Sequence, residues 1–94
     1  MEEFTLTVVY TSKPGMRQAF VEEVVARGIL DKIRAEEGCI AYDYYASEDD
    51  IDRLMLIEKW QSPAHQEAHM AQLHMQELAE IKSRFIDGTK IERY

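Results

Sequence analysis

All three histidines of the chain, His65, His69 and His74, follow closely on its only tryptophan, Trp60, in a stretch that begins at Leu54. His65 and His69 stand four apart, neighbours on one helix face and spaced like paired metal ligands. The metalloprotease pattern His-Glu-x-x-His is not met, because the order His65-Gln66-Glu67-Ala68-His69 turns the carboxylate about 100° from where a base must stand. No third ligand is apparent, so a polar helix flank is the favoured reading and no metal is expected. His69 and His74 suit general acid/base work, since an imidazole titrates near neutral pH. The competing reading is a structural histidine bonded to a strand carbonyl or to Glu58.

Around the histidines, Glu58 falls on a mainly apolar strand face, where an unpaired carboxylate is costly to bury. It either orients a histidine or pairs with a Lys or Arg across the sheet. Trp60 is a packing anchor or a platform for a planar ligand, and its indole N–H needs a partner in both cases. Tyr42 and Tyr44 offer hydroxyls to a ligand oxygen, or simply pack. Cys39 has no base beside it in sequence, so a reactive thiolate is not expected.

The elements that must position these groups alternate in period. Phe4 to Thr11 alternates as a strand, with Phe4, Leu6, Val8 and Tyr10 on one face. Ser12-Lys13-Pro14-Gly15 is turn chemistry. A long amphipathic helix is predicted over roughly 15–36, with a kink or close contact near Gly28. Gly38 stops it, and Cys39 to Ala46 resumes strand period with Ile40, Tyr42 and Tyr44 on one face. The acid-rich stretch 47–52 makes a hairpin loop. Arg53 to Trp60 is apolar on both faces at mid-strand, which predicts a central strand covered on both sides. Ser62 is a natural N-cap with Pro63 at the first helical position. The apolar stripe then moves from Ala64, Ala68 and Ala71 to His74, Leu78, Ile81 and Phe85, so two helical segments should meet near 71–73. Asp87-Gly88 reads as a turn before a short polar strand over 89–94 that starts nearer Phe85. The order β-α-β-β-α-β predicts a ferredoxin-like α+β sandwich with an antiparallel sheet in a single domain, 1–94.

Composition narrows the function classes. Eighteen acidic against 11 basic residues give a net charge of −7, which repels phosphate backbones and anionic lipid, so neither nucleic acid nor a membrane is expected as a partner. One cysteine makes no internal disulfide, and Met1-Glu2-Glu3 carries acid where a signal peptide needs base, so a cytoplasmic location is expected. A chain of 94 residues buries only about 60 to 65% of the surface that its unfolded form exposes. Val9, Met55 and Ile57 fall on the sheet face without helices, and a homodimer through sheet faces would cover them.

Through Glu37-Gly38-Cys39, Ile57-Glu58-Lys59-Trp60, His69 and His74, the chain resembles the antibiotic biosynthesis monooxygenase domain family. It looks most like the small quinol monooxygenase type, through Met55 to Ser62, Ala64-His65 and Glu67-Ala68-His69-Met70. The resemblance implies a homodimeric α/β barrel with a pocket between sheet and helices in each subunit. It also implies oxidation of a small quinol or phenolic aromatic by dioxygen, with no cofactor. His69 and His74 are then the catalytic candidates, and Trp60, Tyr42, Glu58 and His65 the substrate-binding ones. Relatives also include an isomerase of a small phosphorylated compound, so proton transfer on a small carbonyl compound is the alternative, with a non-catalytic dimeric ligand-binding protein beside it. The haem-degrading branch is disfavoured: where it carries an Asn, a Trp and an axial His, this chain reads Val8, His69 and Ala79. Many relatives place Ser-Pro or Thr-Pro before the second histidine, whereas this chain has Gln72-Leu73.

Overall fold

The structure, a computed structural model, describes residues 2–93. Its elements are β1 (Phe4–Ser12), α1 (Arg17–Ala26), α2 (Ile29–Arg34), β2 (Cys39–Ala46), β3 (Arg53–Trp60), α3 (Pro63–Met70), α4 (Leu73–Phe85) and β4 (Ile86–Arg93). The strands form one antiparallel sheet in the order β2-β3-β1-β4, which is the predicted ferredoxin-like α+β arrangement with each helical region split in two. Among the described residues no helix is long and apolar enough to cross a membrane.

Alternation sets the faces. Phe4, Leu6, Val8 and Tyr10 of β1 stand opposite Trp60, Glu58, Leu56 and Leu54 of β3, all directed toward the helices. Phe20 and Val24 of α1, Ile29 and Ile33 of α2, and Leu78 and Ile81 of α4 complete the core, each fully buried. β3 is central, as expected, but within one chain the helices cover only one of its faces. Met55 and Ile57, on the other, are half-buried.

Three local expectations need correction. The helix predicted over roughly 15–36 is two helices, because Gly28 takes φ 70, a left-handed value that no continuing helix accommodates. The chain turns there, and Ile29, Leu30 and Ile33 swing into the core. Ile40 does not share a face with Tyr42 and Tyr44: Cys39 faces Trp60 and Ala41 faces Lys59, so Ile40 is the extra residue of a bulge and is left exposed. Asp87-Gly88 is not a turn. β4 leaves directly from α4 at Ile86, and the register shift between Thr11 and Ser12 makes Asp87 a bulge within the strand. The early start of this strand agrees with expectation; Tyr94, its predicted last residue, lies outside the described residues.

Candidate active site

The break between α3 and α4 is what assembles the site. In one straight helix His69 and His74, five residues apart, would point about 140° away from each other. Instead Gln72 is extended, at φ −72 and ψ 147, and α4 restarts at Leu73. No proline is needed for this break. Both imidazoles then reach one carboxylate, Glu36, in the turn between α2 and β2. His69 Nδ1 donates to Glu36 Oε2 at 2.9 Å and His74 Nε2 donates to the same oxygen at 2.7 Å. The Glu36 side chain is 9% exposed and that of His69 is 1% exposed, so this contact is dry on the His69 side.

Neighbouring rings hold His69 in place. Trp60 lies 4.6 Å from it, centroid to centroid, and Tyr42 lies 5.8 Å away. Its hydrogen bonds among the described residues run through Nδ1, which leaves Nε2 as the ring nitrogen available to an occupant of the adjoining cavity. That cavity, about 270 Å³, lies between the helix-facing side of β1 and α3, α4 and β4, with Leu6, Val8, Tyr42, Glu58, His69 and Met75 among its walls. Burial pushes the Glu58 carboxyl up from its usual range, against the lowering effects of the Trp60 hydrogen bond and of His69 and Lys82. Burial, reinforced by Tyr44, holds the Tyr42 hydroxyl well above its usual range.

The predicted site residues therefore divide. His69, Tyr42 and Glu58 line the cavity; His74 does not, and touches His69 only through Glu36. Trp60 is no substrate platform: it is fully buried off the cavity wall, donating from Nε1 to Glu58 Oε1 at 2.8 Å. Glu58 accordingly serves Trp60, and the carboxylate that orients histidine is Glu36. His65 also stands away from the cavity. Its Nδ1 shares a 2.7 Å hydrogen bond with Ser62 Oγ, the N-cap of α3, and its ring lies against Gly38. Sequence reasoning missed Glu36, absorbed into a helix-stop signal. The one available hint was two adjacent acids just past a helix C-terminus, where the helix dipole disfavours negative charge.

The pair His65 and His69 does not converge on a common point, but Glu36, His69 and His74 do, with ligand atoms all within 4.8 Å of one another. One carboxylate and two imidazoles form a donor set that a divalent transition metal accepts. Their present 2.7 and 2.9 Å contacts are hydrogen bonds, which an ion at about 2.1 Å from each atom would replace.

The sequence model for antibiotic biosynthesis monooxygenase matches residues 3–81, most of the chain. The chain belongs to the antibiotic biosynthesis monooxygenase family. PA3566 from Pseudomonas aeruginosa is similar at 26% identity and a TM-score of 0.87, covering 100% of this chain and 93% of that one. A conserved protein of Bacteroides thetaiotaomicron VPI-5482, described as a possible oxidoreductase, is similar at 27% identity and a TM-score of 0.85, over 99% and 96% of the two chains. A structure named an antibiotic biosynthesis monooxygenase shares the fold at 22% identity and a TM-score of 0.81, over 97% and 95%. None of the curated proteins compared matches the chain. Membership in the antibiotic biosynthesis monooxygenase family supports an enzyme of monooxygenase type.

Proposed function

We propose that the chain is a cofactor-independent monooxygenase that oxidises a small quinol or phenolic aromatic with dioxygen. The observation that carries this reading is a histidine on the wall of a largely apolar cavity, with one ring nitrogen held by a buried carboxylate and the other left to the occupant. His69 Nε2 takes the proton of the substrate hydroxyl. Glu36, itself held by His74, stabilises the imidazolium that results. The substrate anion gives one electron to dioxygen, the two radicals combine at a ring carbon that bears hydrogen, and the peroxide oxygen takes the proton back from the His69 imidazolium. The hydroperoxide loses water to leave a quinone, so one oxygen atom enters the product and the other leaves as water. Tyr42 and Glu58 position the ring, and the apolar walls exclude bulk water.

The same reading takes the protein to be a cytoplasmic homodimer joined through the helix-free sheet face. Half-buried Val9, Met55 and Ile57, with Tyr45 at 49% exposure, favour that face. Light scattering at micromolar concentration should give twice the monomer mass.

The deciding experiment is oxygen uptake by metal-stripped protein across a panel of hydroquinones and naphthols, beside His69→Ala. The expected result is uptake above autoxidation that the variant loses. No uptake, together with His69-dependent deuterium exchange at a carbon next to a carbonyl, would assign proton transfer instead.

A further inference from the structure

Among the described residues, the cations that have ion pairs find them at the surface: Arg27, Arg34, Arg53, Lys59, Arg84 and Lys90 each have a carboxylate within 4.0 Å. Lys82 is different. It projects from α4 into the cavity, with its ammonium 5.6 Å from the centroid of the Tyr10 ring, and no carboxylate ion-pairs with it among the described residues. Glu58 reaches it only through space. Arg93 also has no ion-paired carboxylate among the described residues, but it is exposed, lying over the Phe4 ring at 4.4 Å at the edge of the same cavity. A chain with 18 acids and 11 bases thus lines its cavity, among the described residues, with Lys82 and Arg93 on aromatic faces and one acid, Glu58. Partly burying an ammonium without a counter-ion costs stability, and a cation–π contact offsets only part of that cost.

Position separates the two cations. Arg93 is level with Leu6, at the end of β1 nearer Trp60 and His69, whereas Lys82 stands over Tyr10, four residues further along the strand. Thr89, opposite Tyr10 on β4, adds a hydroxyl to the Lys82 end. Four strand residues span about 13 Å along β1, so an aromatic ring and one substituent fit between the Leu6 level of the cavity and its Lys82 end.

We propose that the substrate carries an anionic substituent, a carboxylate or a phosphate, that pairs with Lys82 at the Tyr10 end of the cavity while its hydroxylated ring lies toward His69. This rests on the cavity being the substrate site and adds what kind of molecule it selects. Lys82 is a specificity residue here: it supplies the counter-charge that the acidic exterior does not, and it takes no proton from the substrate. Burial lowers its own affinity for a proton and Glu58 opposes that, so an incoming anion further favours the charged form.

Binding without turnover tests this, with Trp60 fluorescence and calorimetry as readouts and 1-naphthol, 5-hydroxy-1-naphthoate and 5-hydroxy-1-naphthyl phosphate as probes, the two anions carrying hydroxyl and charge at opposite ends of the ring system. The expected result is that at least one anionic probe binds about tenfold more tightly than 1-naphthol, and that Lys82→Gln removes this advantage while leaving 1-naphthol within about twofold. Whichever anion keeps the advantage identifies the source as carboxylate or phosphate. Lys82→Arg should preserve most of it, which guards against a folding defect in the glutamine variant. Equal binding of naphthol and both anions to the unaltered protein overturns the inference but leaves the cavity reading intact. An advantage lost in Arg93→Gln rather than in Lys82→Gln overturns the assignment to Lys82. If no probe binds, the cavity reading fails and this inference fails with it.

Discussion

Two pairs of neighbours in this chain take opposite sides of its surface. Glu36 and Glu37 are adjacent, and His65 and His69 are one helical turn apart. Glu36 and His69 meet inside, at 2.9 Å, with side chains 9% and 1% exposed. Glu37 and His65 meet outside, at 3.8 Å, with the Glu37 side chain 93% exposed. An exposed pair of the second kind contributes on the order of 0 to 1 kcal/mol, whereas breaking a buried, hydrogen-bonded one leaves a group without solvent or partner and costs several times that. The chemistry of the residues is the same in both. What differs is access to water, and only the inner pair can hold a base in one orientation beside an apolar cavity.

The comparison fails if the outer pair matters as much as the inner one. The largest expected contrast is in turnover: His69→Ala should lower kcat by about 10² to 10⁴-fold, the usual range for a general base, while His65→Ala changes it little. Equal losses in steady-state oxygen uptake would remove the distinction. Next, Glu36→Gln should cost about 10- to 100-fold in kcat, as the loss of a histidine-orienting carboxylate does at other sites. Glu37→Gln should leave the rate alone.

A third contrast is read in stability. Gly38 takes φ 86, and a Cβ there would run into the His65 ring. Gly38→Ala should therefore cost about 1 to 3 kcal/mol in urea unfolding. Adding His65→Ala should recover the steric part and leave the backbone part, about 1 to 2 kcal/mol. Full recovery would mean that the left-handed backbone carries no cost.

The smallest effect sharpens the inner side. Burial raises the Glu58 carboxyl above its unfolded range, so as pH rises the unfolded chain releases this proton first and stability falls. Glu58→Gln keeps an acceptor for the Trp60 indole but has no proton to lose. Its stability relative to the parent should increase from pH 4 to pH 7, and a gap independent of pH would contradict the buried-carboxyl account.

Much of this was legible before any fold. Alternation placed Tyr42, Glu58 and Trp60 toward the helices, and the shift of apolar stripe placed the helix break near 71–73, where α3 and α4 part. The failures were equally local. Ile40 was assigned by period two, and a bulge adds one residue that no period reports. Asp87-Gly88 has turn chemistry but serves as a bulge, because β1 is waiting alongside to pair with it. Trp60 and His65 were grouped with His69 by proximity in sequence, yet the cavity touches only His69 of the three.

The sequence by itself determined the order of elements, the sheet faces, the acidic charge and the histidines on which chemistry would depend, because each of these follows from period, composition or a turn of helix. Only the tertiary structure decided that Glu36 rather than Glu58 orients His69, that His74 acts through that carboxylate, and that Lys82 enters the cavity with no ion-paired carboxylate among the described residues. Those facts join residues 33, 38 and 72 positions apart in the chain: Glu36 to His69, Glu36 to His74 and Tyr10 to Lys82. At such separations local pattern carries no information about distance, and packing of α2, α3 and α4 over the sheet sets who meets whom.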